Sequence, residues 1–248
     1  MMKSILNPNL PSGKVCQIIC GTEDNAILDF FHKKDIEVLN VEPNKDIDPA
    51  ISSHADMAAL HLGGNRVIVD KSQLNLKHQL LENGFAVYET SEKIAGKYPD
   101  DIKLNFTVIG DKIIGNTRYA DLNLNELVSD MQKIKVNQGY CKCSTLVVKE
   151  NALITDDESI YHKMRENATE ALLVSKGDIF LKGHDYGFIG GASGKISNDT
   201  IVFFGNIFLH RDSEMIISFI REHGCSYLCT DNGPLRDIGG IIPLSEMN

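Results

Sequence analysis

The pattern strand, tight turn, strand, capped helix, short strand recurs about five times along these 248 residues, and one copy is divided between the two ends. Repetition at this period constrains the fold before any other feature, because each copy can bury its apolar face only against its neighbours. Second strands are expected at 15–20, 66–70, 112–115, 152–155 and 201–204. Amphipathic helices follow at 24–34, 72–83, 122–133, 157–167 and 212–223, then short β-rich runs at 36–41, 85–89, 134–136, 171–174 and 225–229. Four copies carry their own first strand, at 57–61, 104–109, 144–148 and 188–196. The N-terminal copy lacks one, and the chain ends in an orphan strand at 241–244. Joining the orphan to 15–20 completes the fifth copy. The expected fold is a five-bladed, pseudo-symmetric α/β propeller, closed by pairing the C-terminal strand with the N-terminal blade, with residues 1–248 as a single domain. An open α/β sandwich is the alternative arrangement of the same elements.

The helix starts rest on Asp24, Ser72, Asp157 and Asp212 (or Ser213), each placed where an N-cap acceptor is wanted. Behind them Ile27, Leu28 and Phe31, Leu76, Leu80 and Leu81, and Ile216, Ile217 and Ile220 fall at helical spacing. Turns such as Gly63-Gly64-Asn65, Gly110-Asp111 and Ser197-Asn198-Asp199 hold residues that tolerate the positive φ of hairpins. Helices would cover the outside of the ring. Strand ends and turns would then face a central axis, where a ligand meets several converging loops.

Charge and cysteine usage narrow the partners. A net charge of −9 without a basic stripe argues against nucleic acid, which needs cations to displace counterions from phosphates. No apolar run approaches the roughly 20 residues of a membrane span. The opening residues soon meet Asn7-Pro8-Asn9, so a signal peptide's apolar core is not expected. The cysteines come as Cys16/Cys20, Cys141/Cys143 and Cys225/Cys229. Residues four apart in one strand stand too far apart for a disulfide, so the reading is reduced thiols in a cytoplasmic protein. The pairs lack Cys-x-x-Cys spacing, so neither a metal nor a cofactor is expected, with a zinc site as the minor alternative.

Candidate chemistry sits where blades begin. His54-Ala55-Asp56 precedes one first strand, Gly139-Tyr140-Cys141-Lys142-Cys143-Ser144-Thr145 opens another, and Asp237-Ile238-Gly239-Gly240 precedes the orphan strand. A thiolate is a good nucleophile once a base or a cationic neighbour lowers its pKa, and histidine supplies both that and a later proton. Taken singly, a strand cysteine is usually a small buried hydrophobe and a histidine beside a turn is usually solvated. Their common position in different repeats aims them at one axial pocket.

A propeller of five units, with His-x-Asp opening one blade and a Gly-led Cys-Ser/Thr opening another, resembles the pentein, or guanidino-group-modifying, superfamily. Along the chain it is most similar to the dimethylarginine dimethylaminohydrolases. The separation of His54 from Cys143 is like theirs, Pro99–Asn105 resembles the segment opening their intermediate blade, and Lys135–Gly139 resembles the approach to their nucleophile. The resemblance covers nearly the whole chain after circular permutation. It implies Cys143 as nucleophile, His54 as acid–base group, and Asp237, Asp56 and, more weakly, Asp185 as holders of a small cationic guanidino or amidino ligand.

The departures bear on the substrate. Where the family carries an acidic pair, this chain has Gly190-Gly191; where relatives place an Arg-Thr-Asn-type turn, it has Gly21-Thr22-Glu23-Asp24. No arginine there could pair with an α-carboxylate, which argues against free arginine. Two functions stay open: a Cys/His hydrolase or amidinotransferase-like enzyme, and a non-catalytic binding protein resembling the ribosome anti-association factor of the same fold. If the first holds, Cys143 should have the lowest pKa of the thiols, with Cys141 on the same side of its strand.

Overall fold

The computed structural model describes residues 2–247. The first unit contains β1 (Met2–Ser4), β2 (Lys14–Cys20), α1 (Asn25–Lys33) and β3 (Glu37–Asn40). The second contains α2 (Ala55–Ala58), β4 (Ala59–Gly63), β5 (Arg66–Val69), α3 (Leu74–Glu82) and β6 (Ala86–Glu89). The third runs through β7 (Thr107–Ile109), β8 (Lys112–Gly115), α4 (Leu122–Leu127) and β9 (Gln132–Lys135). The fourth runs through β10 (Thr145–Lys149), β11 (Ala152–Thr155), α5 (Glu158–Glu166) and β12 (Glu170–Leu173). After β13 (Ile179–Phe180), the fifth holds β14 (Ser193–Lys195), β15 (Thr200–Phe203), α6 (Ser213–Glu222) and β16 (Ser226–Cys229). The chain closes with β17 (Leu235–Arg236) and β18 (Ile242–Met247).

In units two to five the first strand pairs antiparallel with the second, and the second pairs parallel with the third across the helix. In the first unit β18 takes the place of the missing strand: it lies antiparallel to β2, with Ile242 opposite Ile19 and Pro243 opposite Ile18. β1 adds to the far side of β18, a strand the sequence pattern does not announce.

The second strand of each unit is largely apolar on both faces, as expected for a strand buried on both sides, with the fully buried Gln17 of β2 an exception. Alternate side chains point in opposite directions and enter different cores. Val67 and Val69 of β5 pack with Ile19, Leu39 and Leu244, whereas Ile68 packs with Leu104, Phe106 and Ile113. Ile113 of β8 shares that second cluster, while Ile114 joins Val147 and Leu153. Ile154 of β11 and Ile201 and Phe203 of β15 form the next, and Val202 turns the other way to meet Val15, Ile18 and Phe31 of the first unit. Every cluster therefore joins one unit to the next, and the last joins the fifth to the first.

Several boundaries differ from those the pattern predicts. Helix α4 stops at Leu127, because the parallel register needs Gln132 opposite Lys112. The run 188–196 yields only the three residues of β14: the amides of Phe188 and Ile189 are taken by the carboxylates of Asp237 and Asp156 at 2.8 and 2.9 Å, not by a strand ladder. Residues 57–58 belong to the short helix α2. Ser72 does not cap α3; its hydroxyl bonds to Asp70. The Asp212 side chain occupies the cap position without bonding the helix and accepts from Ser175 N instead.

Candidate active site

The openings of units two and four and the approach to β18 converge on one cavity of about 220 Å³. It is lined by Ile51, His54, Tyr140, Cys143, Leu181, His184, Asp185, Tyr186, Phe188 and Asp237. His54 stands at the N-terminal boundary of α2, and Asp56, two residues on, is buried directly behind it. Asp237 follows β17 and is fixed by two amides, Phe188 N at 2.8 Å and Gly239 N at 2.9 Å. Asp185 is exposed at the mouth.

Glycines make these approaches possible. A β-carbon on Gly191 would collide with the Asp237 carboxylate, and one on Gly239, whose φ is +75°, would collide with the His54 side chain. Gly190 presses on the carbonyls of Lys142, Cys143 and Thr145, and Gly191 N donates to Cys143 O at 2.8 Å. The pair at 190–191, read from sequence only as a lost acidic pair, is the seat of both the Cys143 turn and the Asp237 carboxylate.

Around Cys143 the geometry is close. Its Sγ donates to Asp56 Oδ2 at 2.7 Å and accepts from Asn105 Nδ2 at 3.3 Å. Asn105 also receives Lys142 N on its own oxygen at 2.8 Å, so one fully buried amide holds both the thiol and its backbone. One ligand atom each from His54, Asp56 and Cys143 lie within 4.8 Å of one another. His54 Nδ1 stands 3.8 Å from Asp237 Oδ1 and, like Asp56 Oδ1, has no hydrogen-bond partner although buried. Asn105 is a residue the sequence reading gave no role. Its signal was faint: a buried-type amide just before a first strand in the segment ending 99–105.

Two expectations about the thiols are corrected. Cys143 does not have a depressed pKa: burial, then the Asp56 and Asp237 carboxylates, raise it well above the ordinary thiol value, with only the Asn105 hydrogen bond opposing them. It is also 2 % exposed, not on an open axis. Cys141 does not share its side. The segment before β10 is a helical turn, closed by Ser144 N donating to Tyr140 O, so side chains rotate instead of alternating. Cys141 therefore packs among Ile109, Ile114 and Val147, its thiol pushed up to about 11 by burial. Lys142 between them is buried, and desolvation lowers its pKa.

Burial likewise pushes Asp56 up to about 6, with the His54 charge opposing it. Asp56 thus holds a proton more readily than an ordinary carboxylate and already takes the thiol's hydrogen bond. A thiolate, an imidazole and a carboxylate at this spacing are also donors that a borderline cation such as zinc accepts. Among the described residues no helix is long and apolar enough to cross a membrane.

The fold is similar to that of solved amidinotransferases and of DDAH. Inosamine-phosphate amidinotransferase from Streptomyces griseus superimposes with a TM-score of 0.63 at 11% identity, covering 99% of this chain and 98% of that one. An amidinotransferase of saxitoxin biosynthesis from Microseira wollei gives 0.58 at 10%, with 90% and 91% covered. DDAH from Pseudomonas aeruginosa, a mutant complexed with citrulline, gives 0.53 at 11%, with 94% and 99% covered. No curated protein matches the chain. Residues 18–242 match a family of unknown function (DUF6873), and the chain belongs to that family.

Proposed function

We propose that this protein is a Cys/His enzyme acting on the guanidine or amidine group of a small cationic ligand. The observation that carries the reading is the meeting of Cys143, His54 and Asp56 within 4.8 Å at a cavity that also presents Asp237. A guanidinium seated between Asp56 and Asp237 would find its central carbon beside Cys143 Sγ. Its positive charge opposes the two carboxylates that keep the thiol protonated, so ligand binding itself favours the thiolate. As Sγ bonds to the carbon, the thiol proton passes to Asp56 Oδ2. His54 then delivers a proton to the departing nitrogen, whose bond to carbon breaks, leaving an amidino group on sulfur. Water or an acceptor amine, deprotonated by His54, attacks that carbon and releases Cys143.

The site reading goes with an architectural one. The order of core clusters from unit to unit, and the pairing of β18 with β2, support a five-bladed propeller closed through its termini, with residues 1–248 as one domain. Blade order relative to the enzymes it resembles fits a circular permutation, which a ring with neighbouring ends tolerates.

A second reading, a non-catalytic binding protein, is favoured by one observation: the unliganded thiol is buried and held protonated. Incubation with a haloacetamidine, followed by peptide mass spectrometry, separates the two. Modification confined to Cys143, slowed at least tenfold in His54→Ala, is the expected result. Equal modification of all accessible thiols, indifferent to His54, would leave only the binding protein.

A further inference from the structure

Enzymes that bind amino-acid guanidines must hold a carboxylate as well as a cation, and a carboxylate inside a pocket needs a cationic partner. Among the described residues, the ten lining this cavity include no lysine and no arginine. Each of its imidazoles stands beside a carboxylate: His54 lies 3.8 Å from Asp237, and His184 at the mouth lies 3.3 Å from Asp48. The charges left to meet a ligand are negative, Asp237 within and Asp185 at the rim.

The rest of the wall is aromatic. Tyr140 stands 6.1 Å from Phe188, and Phe188 stands 5.8 Å from Tyr186, ring centre to ring centre. Tyr140 is fixed by its hydroxyl, which donates to Asp101 at 2.8 Å. This row offers apolar area and π-faces, which suit alkyl, aryl or cationic groups; the Lys176 ammonium already lies 5.6 Å from the Tyr186 ring centre, outside the cavity lining. At about 220 Å³ the cavity is smaller than the roughly 300–1,000 Å³ that takes drug-sized ligands, so the tail is short.

We infer that the ligand is a small guanidine or amidine whose tail carries no anionic group, with its head on the Asp56–Asp237 side and its neutral or amine-terminated tail along Tyr140, Phe188 and Tyr186 towards Asp185. This rests on the guanidine reading above and adds the chemistry of the tail. Asp185 becomes the selecting residue: it repels a terminal carboxylate and attracts a terminal ammonium.

Three probes of matched length test it by calorimetry on the full chain with Cys143→Ser: butylguanidine, agmatine and 4-guanidinobutyrate. The expected order places the carboxylate at least tenfold weaker than butylguanidine, with agmatine equal to butylguanidine or tighter. Asp185→Asn should narrow the gap, and Asp185→Lys should reverse it; the position is exposed, so both variants keep the fold. If 4-guanidinobutyrate binds as tightly as butylguanidine, the inference about the tail is overturned while the guanidine site stands. If none of the three binds and the wild-type thiol resists the haloacetamidine, the guanidine site itself falls.

Discussion

The second strands of the units and the segments that open those units reach the same depth but with opposite kinds of residue. β5, β8, β11 and β15 bring Val, Ile, Leu and Phe, all of them buried and each facing apolar neighbours. The openings bring His54, Asp56, Asn105 and Cys143, and Asp237 joins them from the approach to β18. Among the atoms that the openings bury are His54 Nδ1, Asp56 Oδ1 and Ser144 Oγ, which lack any partner. Each such group costs on the order of 1–3 kcal/mol against a satisfied one. The difference teaches that the strands stabilise the fold, whereas the openings draw on that stability to hold polar groups buried at one cavity.

The sharpest way to break this division is to remove the thiol. Cys143→Ser should lower turnover of a guanidine substrate by on the order of a thousandfold or more, as loss of a nucleophile does. It should leave thermal stability close to that of the wild type, since the hydroxyl can keep the Asp56 and Asn105 hydrogen bonds. A large fall in melting temperature would mean that Cys143 belongs to the core and not to the site.

Truncation within a strand should do the reverse. Ile154 of β11 is fully buried among Leu146, Ile179 and Phe203. Ile154→Ala should cost about 2–5 kcal/mol by lost transfer and cavity formation, measured by urea denaturation. Haloacetamidine labelling of the folded fraction should stay at the wild-type rate. Altered labelling with intact stability would erase the distinction between strands and openings.

The strands were legible for the same reason that they are stable. A run such as Val67-Ile68-Val69 announces burial on both faces, and Gly63-Gly64 marks the turn before it. The convergence of His54, Asp56, Cys143 and Asp237 could be anticipated because each opens or precedes a repeat. The thiol's environment could not. Whether Cys143 sits in an electropositive or an acidic setting depends on how deeply Asp56 and Asp237 are desolvated, which no spacing encodes. Asn105 was hidden because a single amide before a strand reads as a turn residue. The meaning of Gly190-Gly191 was hidden because close approach to Asp237 is a fact of tertiary packing.

A titration sharpens the contrast further. Burial pushes Asp156, behind the turn of unit five, up to about 7, with the Ile189 amide opposing the shift. Its folded form thus holds a proton that the unfolded chain has already released near pH 4. The associated stability is complete below about pH 4 and is lost as pH rises through 7, an effect on the order of a few kcal/mol. Asp156→Asn keeps an acceptor for Ile189 N and cannot ionise. Its melting temperature should fall less than that of the wild type between pH 4 and 7, and the variant should be the more stable at pH 8. Parallel pH profiles would show that Asp156 does not carry this cost.

The smallest expected effect lies at the outer edge of the scaffold. Asp24 caps α1, accepting from Ala26 N at 2.9 Å and Ile27 N at 3.4 Å, and its other oxygen meets Arg236 Nε at 3.0 Å, one residue before Asp237. Two roles are therefore combined in one half-buried carboxylate: capping the helix and a tie to the segment that carries Asp237. Cap removal costs roughly 0.5–2 kcal/mol, whereas a partly exposed ion pair contributes about 0–1. Asp24→Ala should lose the cap and the pair together, near 1 kcal/mol by urea denaturation. Asp24→Asn, which retains the cap, should lose only a few tenths. Affinity for butylguanidine should be unchanged in both, because the Phe188 and Gly239 amides, not Arg236, fix the Asp237 carboxylate. Equal losses in the two variants would assign the effect to the ion pair, and weakened ligand binding in either would extend the site's supporting frame out to α1.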